Sequence, residues 1–403
     1  FIMNILNIQL PKNHFHTLLQ FSKSNEHKVY SNWHGSTSYE NAYNIHTLSG
    51  VNNDELKFKK DQVIRYVEGF INDNNIDLLQ VSDPTKAYLH THFQDKVQYI
   101  GPPEIAARLE TDKLFSKRMA DTVGVKTPAI IKTGKYSDSD YCKNLTFPAI
   151  EKPSHHWAPA INLFKEADAE KAIELLYLKD NPDDEYFIEE YINDMIETNV
   201  FFVVANGEYR ITHTQEIIGE NLNKTVEQKV WYIGSYIKPL KPEVDTIVRK
   251  EADKYLKEIS KMGGNYEGSF CGAYTSTGEW YFLEMNVRPD ILNSTPTFMS
   301  ANEYMKGMFE DISYFEKAWK DINIQKLLIT HNDSTVEYPF HLHDKYSVAI
   351  PNNLEIKNGK YYVSDYGTND GGCGTIIADH NISKEFIKEV EETTTWTFNK
   401  DPS

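Results

Sequence analysis

The sequence predicts a chain of α/β class in which a parallel α/β layer precedes a larger α+β body and a small β-rich tail. Three observations carry this. Residues 3–100 alternate short apolar strands with amphipathic helices, the pattern of a parallel sheet covered by helices. From Pro148 onward the chain is strand-rich and contains two hairpin signals. Beyond about residue 330 it breaks into short strands and turns, with Gly367, Gly371, Gly372 and Gly374 close together. At 403 residues the length suits two to three domains of roughly 150 residues each. The expected divisions are residues 1–101, 102–330 and 331–403.

In order, Met3–Leu10 reads as a strand and Asn13–Ser22 as a helix. Asp61–Asn74 is a stronger helix, because Val63, Ile64, Val67, Phe70 and Ile71 recur at helical spacing. Ile76–Val81 is an apolar strand ended by Ser82-Asp83-Pro84, and Val97–Ile100 is a strand closed by Gly101-Pro102-Pro103. Helices follow at Glu104–Glu110 and Asp112–Val123, with Gly124 placed as a helix-terminating glycine. Pro148–Pro153 and Tyr186–Ile192 are extended, with a helix at Ala167–Leu178 between them. Ala205-Asn206-Gly207 joins the strands Thr198–Val204 and Glu208–Thr214. Glu243–Met262 is a long amphipathic helix stopped by Gly263-Gly264, with Val244, Ile247, Val248, Tyr255, Leu256, Ile259 and Met262 on one side. A second hairpin, Gly268–Tyr274 and Trp280–Val287, turns through Ser276-Thr277-Gly278, and Ala301–Phe309 is a helix. The run Gly371–Gly374 leads into a strand at Thr375–Ala378 rather than a helix, which is weak evidence for a phosphate loop.

Composition narrows the partners. A balance of 42 basic against 59 acidic residues leaves −17, which opposes bulk binding to a nucleic-acid backbone. No apolar run approaches the roughly 20 residues that cross a bilayer. Cys142, Cys271 and Cys373 lie far apart and show neither disulfide nor zinc spacing. The expectation is a cytoplasmic protein with small-molecule partners and neither nucleic acid nor membrane.

The most informative segment is Trp280–Arg288. Strand alternation puts Phe282, Glu284, Asn286 and Arg288 on one face and Leu283, Met285 and Val287 on the other. Glu and Asn supply hard oxygen ligands of the kind Mg²⁺ takes, and an Arg clamps phosphate or carboxylate. A half-polar edge strand produces the same alternation, so the segment gains meaning from its surroundings. Lys113 and Lys117 share a helical face, and spacing alone favours a solvated face for that pair.

The surroundings are ordered. Tyr99-Ile-Gly-Pro102 precedes Ala106–Lys117, then come Gly124–Pro128, Pro148-Ala-Ile-Glu-Lys152, Phe187-Ile-Glu-Glu-Tyr191 and Phe282–Arg288. This series resembles the ATP-grasp ligases and is most similar to the phosphoribosylamine–glycine ligase family of purine biosynthesis, over about residues 3–310. The resemblance implies an ATP-grasp body of two α+β subdomains, of which 126–192 is a small nucleotide lid. It implies an ATP- and Mg²⁺-dependent (or Mn²⁺-dependent) enzyme that joins a carboxylate to an amine through an acyl phosphate. By the same resemblance Lys113 and Lys152 offset the charge of the phosphates, Glu189, Glu190 and Tyr191 form the hinge under adenine, and Glu197 meets the ribose hydroxyls. Glu284 and Asn286 hold the metal, and Arg288 faces the substrate carboxylate or acyl phosphate.

The chain departs from that family in two places. Where the family has a Gly-rich, Lys-containing loop, this chain has Pro153-Ser-His-His-Trp-Ala-Pro-Ala160, with neither Gly nor Lys. Lys229–Ser235 replaces a second Gly-rich segment. These departures favour a carboxylate–amine pair other than glycine and phosphoribosylamine. They also motivate an alternative, a nucleotide-binding regulator without catalysis. His155 and His156 are candidate phosphate donors, against the commoner surface role. His90-x-His92 and His341-x-His343 lack a third ligand at metal spacing, and Cys271 reads as a small core residue. Trp396 and Phe398 are expected to pack the tail on the body.

Overall fold

The structure, a computed structural model, describes residues 2–8, 27–31, 42–44, 60–141, 143–155, 161–163, 165, 168, 182–219, 235–289, 301–319, 325–330, 340–342, 355–357, 360–363 and 373–378. The expected helices at Asn13–Ser22 and Ala167–Leu178, residues His156–Ala160, and Trp396 and Phe398 fall outside these, apart from Asp168.

Short β-rich segments with apolar alternate residues build the first sheet. Strands β1 (Asn4–Ile8), β2 (Lys28–Ser31) and β3 (Ala42–Asn44) are followed by helix α1 (Lys60–Asn74), β4 (Leu78–Val81), α2 (Leu89–Phe93) and β5 (Gln98–Ile100). The strands pair in parallel in the order β3-β2-β1-β4-β5, as the alternation of strands and helices predicts. Val63 and Val67, one turn apart on α1, pack on Leu6, Ile8, Leu79 and Val81, with Ile64, Phe70 and Ile71 at the margin. Gly101 ends β5 against the carbonyl of Val81, where a Cβ would lie 2.5 Å from that oxygen. Its N–H bonds the carbonyl of Asn265 at 2.7 Å and so ties this sheet to the larger body.

Helices α3 (Glu104–Thr111) and α4 (Lys113–Thr122) follow. The Asp112 carboxylate caps α4 by accepting from the Phe115 N–H at 2.9 Å, which makes Lys113 its first helical residue. Gly124 takes a φ of +73°, the left-handed conformation that a helix-ending glycine supplies.

Strands β6 (Ile130–Lys135), β7 (Ala149–Pro153), β8 (Ile161–Leu163) and β9 (Glu185–Glu190) form a small antiparallel sheet ordered β6-β9-β7-β8. Its inward face is aromatic: Tyr136 and Tyr186 pack with Ala149, Leu163 and Ile188.

Strands β10 (Met195–Ala205), β11 (Glu208–Gly219) and β12 (Ser235–Pro239), helix α5 (Pro242–Ile259), and strands β13 (Tyr266–Thr275) and β14 (Trp280–Asn286) make the main body. Asn206 and Gly207 take positive φ values of 53° and 77° and turn β10 into β11. One face of this sheet packs on α5, where Val244, Val248, Tyr255, Leu256 and Ile259 meet Val200, Phe202, Phe270, Phe282, Met285 and Val287. Each such fully buried side chain contributes about 1.5–3 kcal/mol. The opposite face meets α6 (Ala301–Phe309), whose Tyr304 hydroxyl donates to Glu267 at 2.7 Å, and α7 (Tyr314–Trp319) packs on α6.

Strand β15 (Gln325–Thr330) pairs with β12. The short strands β16 (Phe340–Leu342), β17 (Glu355–Lys357) and β18 (Lys360–Val363) form their own sheet in the order β16-β18-β17, and β19 (Cys373–Ala378) pairs with β15. The main sheet therefore runs β14-β13-β10-β11-β12-β15-β19, and residues on both sides of 330 share it.

Candidate functional site

Helix α4, the small sheet and the face of the main sheet opposite α5 converge on one cluster of charge. Lys113 and Lys117 project from α4 one turn apart, and Lys152 lies on β7. The Lys113 N–H bonds the Ser154 carbonyl at 3.0 Å, which fastens the start of α4 to the end of β7. Glu189, on the neighbouring strand β9, places one carboxylate oxygen 2.5 Å from the Lys117 ammonium and the other 2.7 Å from that of Lys152. All three side chains are at most 5% exposed.

Burial dominates the electrostatics here. It pulls the Lys117 ammonium down to about 8, against the opposing pull of Glu189. It also lowers Lys113, which Glu284 and Glu189 partly restore. Burial would lower Lys152 too, but the Glu189 and Glu284 carboxylates hold it above the usual lysine range. Burial would raise Glu189, but Lys117 and Lys152 hold it below the usual carboxylate range.

The floor of the cluster is the face of the main sheet turned away from α5. Register places Glu284 of β14 beside Cys271 of β13, Cys271 beside Asn199 of β10, and Asn199 beside Gln215 of β11. The next row holds Asn286 and Ser269. Among the described residues, Asn199 Oδ1, Gln215 Oε1 and Ser269 Oγ are buried with no hydrogen-bond partner. Glu197, two residues before Asn199, is pushed up to about 7 by desolvation of its carboxyl and then by the charge of Glu284.

The end of β14 is held from α3. Glu110, only 5% exposed, accepts from Arg288 Nε and from the Val287 N–H, each at 2.8 Å. Arg288 Nη2 also donates to Asn286 Oδ1 at 3.2 Å. Glu190 faces the start of β6: its carboxylate accepts from the Ala129 N–H at 3.0 Å, with Tyr191 partly buried beside it.

Lys113, Lys152, Glu189, Glu197, Glu284, Asn286 and Arg288 thus meet in one region, and Glu190 and Tyr191 lie at the end of β9. Three expectations are corrected. Phe282 does not share a face with Glu284: the register shifts between Cys271 and Gly272, so Leu283 is an extra residue and Phe282 joins Met285 and Val287 in the core. Lys117 is not on a solvated face, because it is 1% exposed against Glu189. Cys271 is not a core residue, because it is partly exposed on the face that carries Glu284. The Glu189 carboxylate points at the two lysines, which alternation along β9 could have suggested. Glu110, Asn199, Gln215 and Ser269 had no signal of their own, and the register shift between β10 and β11 puts Gln215 opposite Asn199 where the unbroken hairpin would put Thr214. Among the described residues no cluster of His, Cys, Asp and Glu has metal-site grouping. His90 instead packs edge-on against Tyr99 at 5.1 Å, and no helix there is long and apolar enough to cross a membrane.

No protein-family model matches the chain. It is 24% identical over 295 residues to a D-alanine–D-alanine ligase of Campylobacter jejuni, covering 70% of this chain and 81% of that protein. Among solved structures, the L-amino acid ligase of Bacillus licheniformis superposes with a TM-score of 0.66 at 12% identity, covering 97% of this chain and 98% of the other. The phosphoribosylamine–glycine ligase of Thermotoga maritima superposes with a TM-score of 0.59 at 13% identity, covering 97% and 96%.

Proposed function

We propose that this chain, which has the ATP-grasp fold, is an ATP- and divalent-metal-dependent ligase that joins a carboxylate to an amine. The observation that carries the reading is the pairing of a buried lysine layer on α4 and β7 with a carboxylate–carboxamide pair, Glu284 and Asn286, on the facing strand. A nucleotide triphosphate needs cations around its phosphates and hard oxygen ligands for its metal.

The residues fit Mg²⁺ or Mn²⁺ as well as ATP. Glu284 and Asn286 offer a carboxylate and a carboxamide oxygen, and the Asn286 oxygen keeps a lone pair after accepting from Arg288. When bound, the metal would neutralise phosphate charge. Lys113 and Lys152 would face the phosphates. Glu190, Tyr191 and the backbone at the end of β9 would form the hinge for the base. Glu197 would meet the ribose hydroxyls, for which a carboxyl near 7 can donate as well as accept. In this reading Glu189 works through the lysines rather than on the base, by fixing both ammonium groups. Arg288, anchored by Glu110, would present its guanidinium to the substrate carboxylate and then to the acyl phosphate. Catalysis would rest on positioning and charge neutralisation.

An amino acid is the substrate class proposed, since an amino acid stands in the name of each of the three similar proteins. Glycine with phosphoribosylamine remains one pair to test. The Gly- and Lys-free stretch Pro153–Ala160 favours another pair, and it also motivates a nucleotide-binding protein without turnover.

The test is the melting temperature with and without ATP·Mg²⁺, followed by ADP release with D-alanine, L-amino acids, glycine and phosphoribosylamine. A ligand at about 100 times its Kd adds roughly 2.7 kcal/mol to the folded state. A shift with substrate-dependent ADP supports the ligase. A shift without ADP favours the binding-only reading, and no shift overturns both.

A further inference from the structure

Cys271 stands where a core cysteine would not. It is partly exposed, and its register partners are Glu284 on one side and Asn199 on the other. Register partners in an antiparallel sheet put their side chains on one face, about 4.5–5.5 Å apart at Cβ. The row from Glu284 through Cys271 and Asn199 to Gln215 therefore lies on the floor beneath Lys152 rather than among the α5 contacts.

That floor carries unmet polar groups. Asn199 is 3% exposed, Gln215 2% and Ser269 0%, yet among the described residues Asn199 Oδ1, Gln215 Oε1 and Ser269 Oγ have no hydrogen-bond partner. A buried acceptor left unmade costs about 1–3 kcal/mol. Three of them on one face point to a ligand that brings its own donors or cation. The thiol thus borders a ligand cleft, and anything fixed to it stands in the ligand's place.

We propose that Cys271 is a modification site, a cleft thiol that forms a mixed disulfide with a small-molecule disulfide of the glutathione type and so closes the nucleotide and metal seat. The proposal rests on the nucleotide reading above. As its thiolate, the Cys271 sulfur attacks one sulfur of the small disulfide. A new S–S bond forms, the old one breaks, the second half leaves as a thiolate, and the cysteine proton passes to solvent. The incoming disulfide is the only oxidant, and a dithiol reverses the reaction. Partial exposure gives the reagent access that a buried core cysteine lacks.

The experiment alkylates the intact chain with iodoacetamide, with and without saturating ATP·Mg²⁺, and follows the Cys271, Cys142 and Cys373 peptides by mass spectrometry. A parallel sample is treated with oxidised glutathione, and the ATP·Mg²⁺ melting shift is measured before treatment, after it and after dithiothreitol. The expected result is at least a tenfold slower alkylation of Cys271 with nucleotide. Glutathionylation at Cys271 should abolish the melting shift, and dithiothreitol should restore it. In Cys271→Ala the melting shift, whatever its size, should be indifferent to oxidised glutathione. Equal alkylation of Cys271 in a sample whose melting temperature ATP·Mg²⁺ raises overturns the inference alone. So does a shift that survives full modification of Cys271. If ATP·Mg²⁺ raises no melting temperature at all, the nucleotide reading fails and the inference falls with it.

Discussion

The roof of the charge cluster, on α4 and the small sheet, and its floor, on the main sheet, solve the burial of polar groups in opposite ways. In the roof, Glu189 sits between Lys117 and Lys152, so three buried charges satisfy one another without a ligand. In the floor, Asn199, Gln215 and Ser269, on the sheet face that carries Glu284, are buried with hydrogen bonds unmade among the described residues. A buried charge without a partner is far more costly than a buried neutral acceptor, so the lysines must be paired in the empty protein while the neutral floor can wait. In the proposed reading the roof is preorganised and the floor is completed on binding.

The largest test of this contrast is Glu189→Gln. It takes the nearest counter-charge from two buried ammonium groups and leaves only the more distant Glu284, and removing one partner of a buried ion pair costs about 3–5 kcal/mol. Chemical denaturation should show a loss of that order. A change below about 1 kcal/mol would mean that the lysines are solvated and the roof is not self-satisfied.

On the floor, Glu284→Gln should leave stability nearly unchanged but lower turnover on the order of a hundredfold, about 2.7 kcal/mol, by weakening the metal's hold. Full ADP release in that variant would break the metal assignment.

Glu151 sharpens the comparison from behind the roof. It faces the aromatic core of the small sheet, where it accepts from the Tyr136 hydroxyl, and burial pushes its carboxyl up to about 7. A carboxyl raised in the fold is favoured when protonated. Its contribution to stability is therefore complete below the unfolded value, 4.5, and is lost as pH rises through about 7. Relative to the native chain, Glu151→Gln should gain stability between those limits, by roughly 3 kcal/mol above the upper one. Melting curves of the two proteins that stay parallel from pH 4 to pH 8, two pH values chosen about half a unit or more outside those limits, would show Glu151 to be solvated.

The smallest effect belongs to the support of the roof. Asp112→Ala removes the cap of α4, at about 1 kcal/mol. It should lower the melting temperature by a few degrees and loosen Lys113, raising the concentration of ATP·Mg²⁺ needed for a given melting shift.

Much of this could be read from the residues in order. The helical repeat of Val63 and Val67, the glycine after α4, the Asn206-Gly207 turn and the α5 stripe each encode a local period or a required backbone conformation, and such signals survive without the fold. The candidate residues on α4, β7, β9 and β14 were legible as an ordered series. What failed was what register and depth decide. One extra residue at Leu283 moved Phe282 from the Glu284 face to the core, which strict alternation cannot foresee.

The sequence by itself determined where the main helices, the two hairpin turns and the helix-ending glycines fall, because caps, turns and hydrophobic periods act within a few residues. Only the tertiary structure decided which polar groups meet. Lys117 and Glu189 are far apart in sequence, as are Cys271 and Asn199, and each pair is joined by the packing of separate elements. Burial, which shifts the charges of Lys117, Glu151 and Glu197, is a property of what surrounds a residue, and no local pattern contains it.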